Sequence, residues 1–137
     1  MLPSFVDSTN IPILQEVINF AQSRHAVLAG NIANVDTPEY RVRDLSVETF
    51  QMELGQAIEA RRQRHEQITP GVIADANDDA MHKVRDSMKH ILYHDGSDVS
   101  MEQQVTEMAK NQFMHNLAIA IMSSQFRLLQ VAVSERV

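Results

Sequence analysis

Apolar residues recur every three or four positions near both ends of the chain, and this spacing predicts two long helices. In the N-terminal helix, Asn10 can cap the first turn and Pro12 fits within it. The alternation of threes and fours is that of a coiled-coil seam, with one polar member. This first row consists of Ile11, Leu14, Ile18, Ala21, His25, Leu28, Ile32 and Val35.

A second row with the same spacing predicts a helix from about Ser100 to Val133. Ser100 and Gln103 have the spacing of a capping box. The helix would be roughly 50 Å long, which is more than a 137-residue globule is expected to surround on all sides. We therefore expect part of its apolar surface to face another chain. The row consists of Met101, Val105, Met108, Gln112, His115, Ile119, Met122, Phe126, Leu129 and Val133.

The two rows predict a mainly α fold, in which the terminal helices pair as an antiparallel coiled coil around a small irregular middle segment. The expected divisions are 1–40, 41–98 and 99–137. Residues 45–66 are compatible with a helix, and a short helix is expected from Met81. His25 could sit across from Gln112 or His115, and the periodicity leaves that register open.

Composition excludes several classes of function. The chain carries a net charge of −6 and no cysteine, so a nucleic-acid partner, a disulfide and a thiolate metal site are not expected. The basic cluster at residues 61–64 is flanked by glutamates and lacks aromatic residues. The sequence shows no cleavable signal peptide, and no apolar run approaches the ~20 residues of a membrane span.

Four polar side chains follow one another in steps of four and offer the chief candidate for chemistry. Imidazoles at i and i+4 on a helix can bind zinc, but the sequence lacks the glutamate of the HExxH motif. A small metalloenzyme is therefore an alternative hypothesis, and the favoured one is a protein without catalytic residues, cofactor, metal or small-molecule substrate. The residues of the alternative are His82, Asp86, His90 and His94.

Two short blocks of turn-forming residues adjoin the predicted terminal helices. The first is Asn31-Ile32-Ala33-Asn34-Val35-Asp36-Thr37-Pro38-Glu39-Tyr40-Arg41-Val42-Arg43-Asp44, and the second, Asp95-Gly96-Ser97-Asp98-Val99-Ser100-Met101-Glu102, leads into the C-terminal helix. Together they resemble the flagellar rod and hook protein family. Length and the Arg41–Asp44 continuation are most like the proximal rod subunits of that family. The matching turn residues are Asn31, Ala33, Asn34, Asp36, Thr37, Pro38 and Tyr40, followed later by Asp95, Gly96 and Asp98. Glu39 stands where the family has glycine, which favours a type I turn over a type II turn here.

The resemblance implies a non-enzymatic building block of the flagellar basal-body rod. Its partners would be other rod subunits and copies of itself, the rod adaptor and MS ring, and the flagellar type III export apparatus. It would reach the periplasm-spanning rod without a cleavable signal peptide. The expected assembly seam comprises Ile11, Leu14, Ile18, Leu28, Ile32, Val105, Met108, Ile119, Met122, Phe126 and Leu129.

A second alternative is a protein that does not belong to a flagellum. A cytoplasmic helical adaptor or chaperone could use the same two rows in a closed coiled-coil dimer. It predicts a defined dimer in solution, whereas a rod subunit is expected to be a monomer with frayed ends or to polymerise.

Overall fold

A computed structural model describes residues 9–67, 79–87, 92–94 and 100–134. The long terminal helices predicted from the apolar spacing are both present, so the mainly α fold class is confirmed. In chain order the elements are α1 (Ile11–Ala33), β1 (Arg43–Leu45), α2 (Val47–Gln67), α3 (Asp79–Ser87), β2 (Leu92–His94) and α4 (Met101–Ser134).

Helix ends follow local capping chemistry, with one difference from the prediction. At the start of α4, the Ser100 hydroxyl accepts a hydrogen bond from the backbone N–H of Gln103 at 3.3 Å, as expected. At the start of α1, the Asn10 side chain makes no cap, so that prediction was wrong. The Thr9 hydroxyl takes the role instead and accepts the N–H of Ile11 at 3.3 Å.

The helices α1 and α4 lie antiparallel and make the most extensive contact between any two described elements. The Asn31 amide donates to the Gln104 side-chain oxygen at 3.0 Å. Ten residues earlier on α1, the Ala21 carbonyl accepts from the Asn111 amide at 2.7 Å. The contact that comes earlier on α1 comes later on α4, so the two contacts fix the antiparallel direction of the helices and their register.

The middle of the chain packs on a different side of α1. The rings of Phe20 and Phe50 stack with centroids 4.0 Å apart and planes within 7° of parallel. Around them lies a small hydrophobic core that α1 shares with α2, α3 and β1. The middle segment is thus largely helical where it is described, rather than irregular. The buried residues of this hydrophobic core are Phe20, Leu45, Phe50, Ala57, Met81 and Val84.

A short antiparallel ladder joins β1 to β2, pairing Arg43 with His94 and Leu45 with Leu92. Three residues per strand are too few to show a period of two, so the sequence analysis did not predict this ladder. Its consequence is to hold the chain just after the 31–40 turn beside the end of α1.

Candidate assembly surface

Asn31 ties together four parts of the chain at the end of α1. It is only 2% exposed. Its side-chain oxygen accepts the hydroxyl of Tyr40 at 3.1 Å and the backbone N–H of Arg43 at 3.2 Å. Its amide donates to the Arg43 carbonyl at 2.5 Å and to Gln104 on α4 at 3.0 Å. One buried amide therefore anchors the turn, β1 and α4 to α1.

The turn after α1 differs from the prediction at Glu39. This residue has a φ of 63°, and the N–H of Tyr40 donates to the carbonyl of Thr37 at 3.2 Å. Proline at the second position and positive φ at the third are the features of a type II turn, so the predicted type I turn was wrong. The bond from Tyr40 to Asn31 explains the difference, because it fixes the exit of the turn whatever residue stands before it.

Replacing Glu39 with glycine is expected to stabilise the protein. A non-glycine residue in the left-handed region costs about 1 kcal/mol, and Glu39→Gly should recover most of that cost. Chemical denaturation of the two proteins would measure it. Glu39→Ala is the matched control, since it removes the charge and keeps the Cβ atom. A gain in Glu39→Ala equal to that in Glu39→Gly would contradict the backbone explanation.

A network of charges centred on Arg24 joins α1 to β1 and α4. The guanidinium binds Asp44 through two hydrogen bonds, of 2.9 and 2.6 Å, and Glu107 through a third of 2.9 Å. Lys110 donates to the other oxygen of Glu107 at 2.8 Å. The hydrogen bonds to Asp44 raise the pKa of Arg24, against an opposing effect of burial. Lys110 first and Arg24 second hold the pKa of Glu107 below its ordinary value.

The lowered pKa of Glu107 predicts a loss of stability in acid. Its contribution is complete above the unfolded-state pKa of 4.5 and disappears as the pH falls through the lower folded-state pKa. We therefore expect the stability advantage of the natural protein over Glu107→Gln to be largest at neutral pH and to shrink below pH ~4. Thermal unfolding of both proteins between neutral and acid pH measures this. An advantage that stays constant over that range would contradict the assignment.

The face of α4 that contacts α1 contains both polar and apolar residues. Gln104, Asn111 and Ala118, spaced by sevens, are buried, and half-buried residues lie between them. The predicted row coincides with this face only in part. Where it names Val105 and Ile119, the buried residues stand one position earlier, at Gln104 and Ala118; where it names Phe126, the half-buried residue is Gln125. The face in contact with α1 comprises Gln104, Glu107, Met108, Asn111, Met114, His115, Ala118 and Met122.

The predicted residues that miss this contact lie on the surface. Ile119 is 42% exposed and Phe126 is 51% exposed, and Val105 is similarly accessible. Of the remaining predicted members, Ile11 and Leu28 are buried and the others are half-buried. Their role in assembly stays a prediction. The half-buried members are Leu14, Ile18, Ile32, Met108, Met122 and Leu129.

A further apolar surface covers the side of α4 directed away from α1. Phe113 is 70% exposed, and apolar residues continue along this side to Val131. We call these residues the outer face of α4. The register with α1 places Ile11 near residue 121, so roughly the last dozen residues of α4 extend past the start of α1. The outer face comprises Phe113, Leu117, Ile121, Leu128 and Val131.

By length and composition, α4 is also apolar enough to cross a membrane. The helix contains no uninterrupted apolar run of that length, because isolated Asn, Gln and Ser side chains break the run without making the helix polar. The same property is found in helices of soluble proteins whose apolar sides are covered by other helices. Only one side of α4 is covered here by the described part of the chain.

A small cleft of about 220 Å³ opens between α1 and α4, and its lining shows which residues of α4 lie across from His25. His25 lines this cleft together with both of its possible neighbours, Gln112 and His115. The buried Oδ1 of Asn111 and Nδ1 of His115 make no hydrogen bond.

The alternative zinc site does not have its predicted geometry. His94 belongs to β2, so it cannot share a helix face with the side chains before it. His82 and Asp86 lie on α3, and His90 falls outside the described residues. No cluster of three metal-binding side chains occurs within the described ranges. The predicted turn at Asp95, Gly96 and Asp98 also lies outside them.

Sequence reasoning missed the polar residues that hold the terminal helices together. Arg24, Gln104 and Asn111 do not belong to the rows that the apolar spacing selects. A signal was available, since Gln104, Asn111 and Ala118 repeat every seven residues. Counting apolar positions alone could not reveal that the intramolecular contact uses this polar row.

Curated proteins of one kind are similar to this chain. The flagellar basal body rod protein FlgB of Proteus mirabilis is 27% identical over 133 residues, covering 88% of this chain and 90% of the relative. That of Bacillus subtilis is 23% identical over 128 residues, covering 93% and 95%. That of Aquifex aeolicus is 51% identical over a shorter stretch of 35 residues.

No family model matches the chain. The similarity to curated relatives nevertheless recurs in several bacteria and covers most of the length of this chain and of each relative. The resemblance that the turn motif predicted is therefore confirmed: over most of its length the chain is similar to flagellar basal body rod proteins named FlgB.

Proposed function

We propose that this chain is a structural subunit of the flagellar basal-body proximal rod. Its similarity to FlgB proteins indicates this role. The structural observation that supports it most directly is the uncovered apolar surface of α4, which includes Ile119, Phe126 and the outer face. Exposed apolar residues that continue along a whole helix are typical of a surface that contacts another protein.

The geometry favours an open assembly over a closed pair. Apolar residues occur on α4 both beside the α1 contact, at Val105 and Ile119, and opposite it, at Phe113 and Leu128. One additional partner helix cannot cover both directions, so at least two neighbours are needed. Contacts between unlike surfaces continue from subunit to subunit and build a tube or filament.

The family resemblance implies association with other rod and basal-body components. We propose that the neighbours are other rod subunits and copies of this chain, with the rod adaptor and MS ring at one end. Export through the flagellar type III apparatus, without a cleavable signal peptide, would bring it to the periplasm-spanning part of the rod. Within the chain, segments 1–40 and 99–137 would form the assembling coiled coil, and 41–98 would decorate it.

The proposed function is tested by deleting the gene in its own bacterium and isolating basal bodies. We expect deletion to abolish swimming and the rod, and a plasmid copy to restore both. In cells that carry the gene, the chain should be found in purified basal bodies. It should resist alkaline extraction of membranes only when the rod is present. Normal swimming after deletion would overturn the proposal.

The purified chain distinguishes the two remaining alternatives. A closed adaptor dimer predicts one sedimenting species of twice the chain mass at all concentrations. A membrane-spanning α4 predicts that the chain requires detergent and partitions into vesicles in cells that lack flagellar genes. A rod subunit predicts a monomer that grows into larger species as its concentration rises.

A further inference from the structure

Polar side chains are buried in the contact between α1 and α4, although a more apolar row of α4 lies exposed beside them. Gln104 and Asn111 are buried at 7% and 1% exposure, and each makes a hydrogen bond to α1. Ile119 immediately follows the buried Ala118 and is itself exposed. Apolar burial alone would favour the opposite choice of row.

The reason for this choice lies on α1. Asn31 is fixed by its bonds to Arg43, and Arg24 is fixed by its paired bonds to Asp44. Neither side chain can turn away from α4 without breaking those contacts. On α4, Gln104 meets the first and Glu107 meets the second.

A rotation of α4 toward its apolar row would leave these groups of α1 without partners. Asn31 and Arg24 would then face aliphatic side chains, and a buried polar group without its hydrogen bond costs several times what a methyl contact gains. The Ala21 carbonyl would lose the Asn111 amide as well. Polar pairs of this kind are known to fix the register of coiled coils at some expense of stability.

We propose that Gln104, Glu107 and Asn111 select the row of α4 that pairs with α1 and thereby keep the row of Val105 and Ile119 free for neighbouring subunits. The selection concerns the single chain. Only its purpose, the availability of that row to neighbours, rests on the proposed function. The polar contact makes the single chain less stable than an apolar contact would, and it leaves the intermolecular surface exposed.

The chain contains no cysteine, so one introduced thiol reports on one position. Ala118→Cys places the thiol in the α1 contact, and Ile119→Cys places it one residue outside. In the otherwise natural chain we expect the second thiol to be alkylated at least about tenfold faster than the first, as local protection requires. With Gln104→Leu and Asn111→Leu added, we expect the difference to fall below about threefold while cooperative unfolding is retained, because several faces of α4 then compete.

Asn116→Leu with Gln130→Leu is the matched control. Both side chains are exposed on α4 and neither lines the cleft between α1 and α4, so the exchange of chemistry is similar and the α1 contact is unchanged. The control should keep the natural ratio of rates. Should Gln104→Leu with Asn111→Leu unfold the chain, Asn111→Leu alone carries the test by the same criterion.

An unchanged ratio of alkylation rates in the tested variant would overturn the proposal. That result would leave the proposed rod function standing, because alkylation is measured on the isolated chain. Conversely, a normally swimming deletion strain would remove the rod function and leave the selection of a helix face intact.

Discussion

Cells that produce the Ile119→Asp variant are expected not to swim, although the variant folds and is exported. Ile119 is 42% exposed in the single chain, so a carboxylate there remains hydrated and should change the free energy of unfolding by less than about 1 kcal/mol. In an assembly that buries this row, the same carboxylate would be desolvated without a partner, at a cost of several kcal/mol in every subunit contact. The measurement combines swimming in soft agar, the amount of chain in basal bodies and the thermal unfolding of purified protein.

Gln103→Asp is the matched control for this prediction. It introduces the same charge on α4, at an exposed position in the polar first turns of the helix. We expect this variant to swim. Normal swimming by the Ile119→Asp variant, with its protein present in basal bodies, would show that the row containing Ile119 is not an assembly contact.

Spacing of apolar residues predicted the terminal helices because a helix that buries one side needs a period of about 3.6. It predicted the existence of α4 and its first residue, since Ser100 supplies the cap. It did not predict which side of α4 meets α1. Both Ile119 and Ala118 belong to rows with coiled-coil spacing, and the decision rests with polar groups distant in sequence, such as Arg24.

The turn motif illustrates the same limit at a smaller scale. Local preference argued against positive φ at Glu39, and the structure adopts it. The deciding contact runs from Tyr40 back to Asn31, and a preference table for single residues contains no such contact. Long-range hydrogen bonds of this kind overrule local energies of about 1 kcal/mol.

Truncating Asn31 should destabilise the single chain more than any other loss of one polar side chain along the turn. Asn31→Ala removes its bonds to Tyr40, to the backbone of Arg43 and to Gln104. The partners left behind lose these hydrogen bonds, and among them the side chain of Gln104 is buried. Since one such group costs about 1–3 kcal/mol, we expect a total loss of roughly 3 kcal/mol in the free energy of unfolding. Urea denaturation followed by circular dichroism measures it.

Asn34→Ala provides the control three residues along. The Asn34 amide donates only locally, to the carbonyl of Gly30 at 2.8 Å, so its removal should cost about 1 kcal/mol or less, as a lost helix cap does. Equal losses in the two variants would mean that Asn31 acts merely as an end cap of α1. A larger loss at Asn31 would mean that the turn motif binds the end of α1 to β1 and α4. The apolar row of α4 then depends on Asn31 for its position, because the amide that orders the turn also sets the register of the helix that presents Ile119.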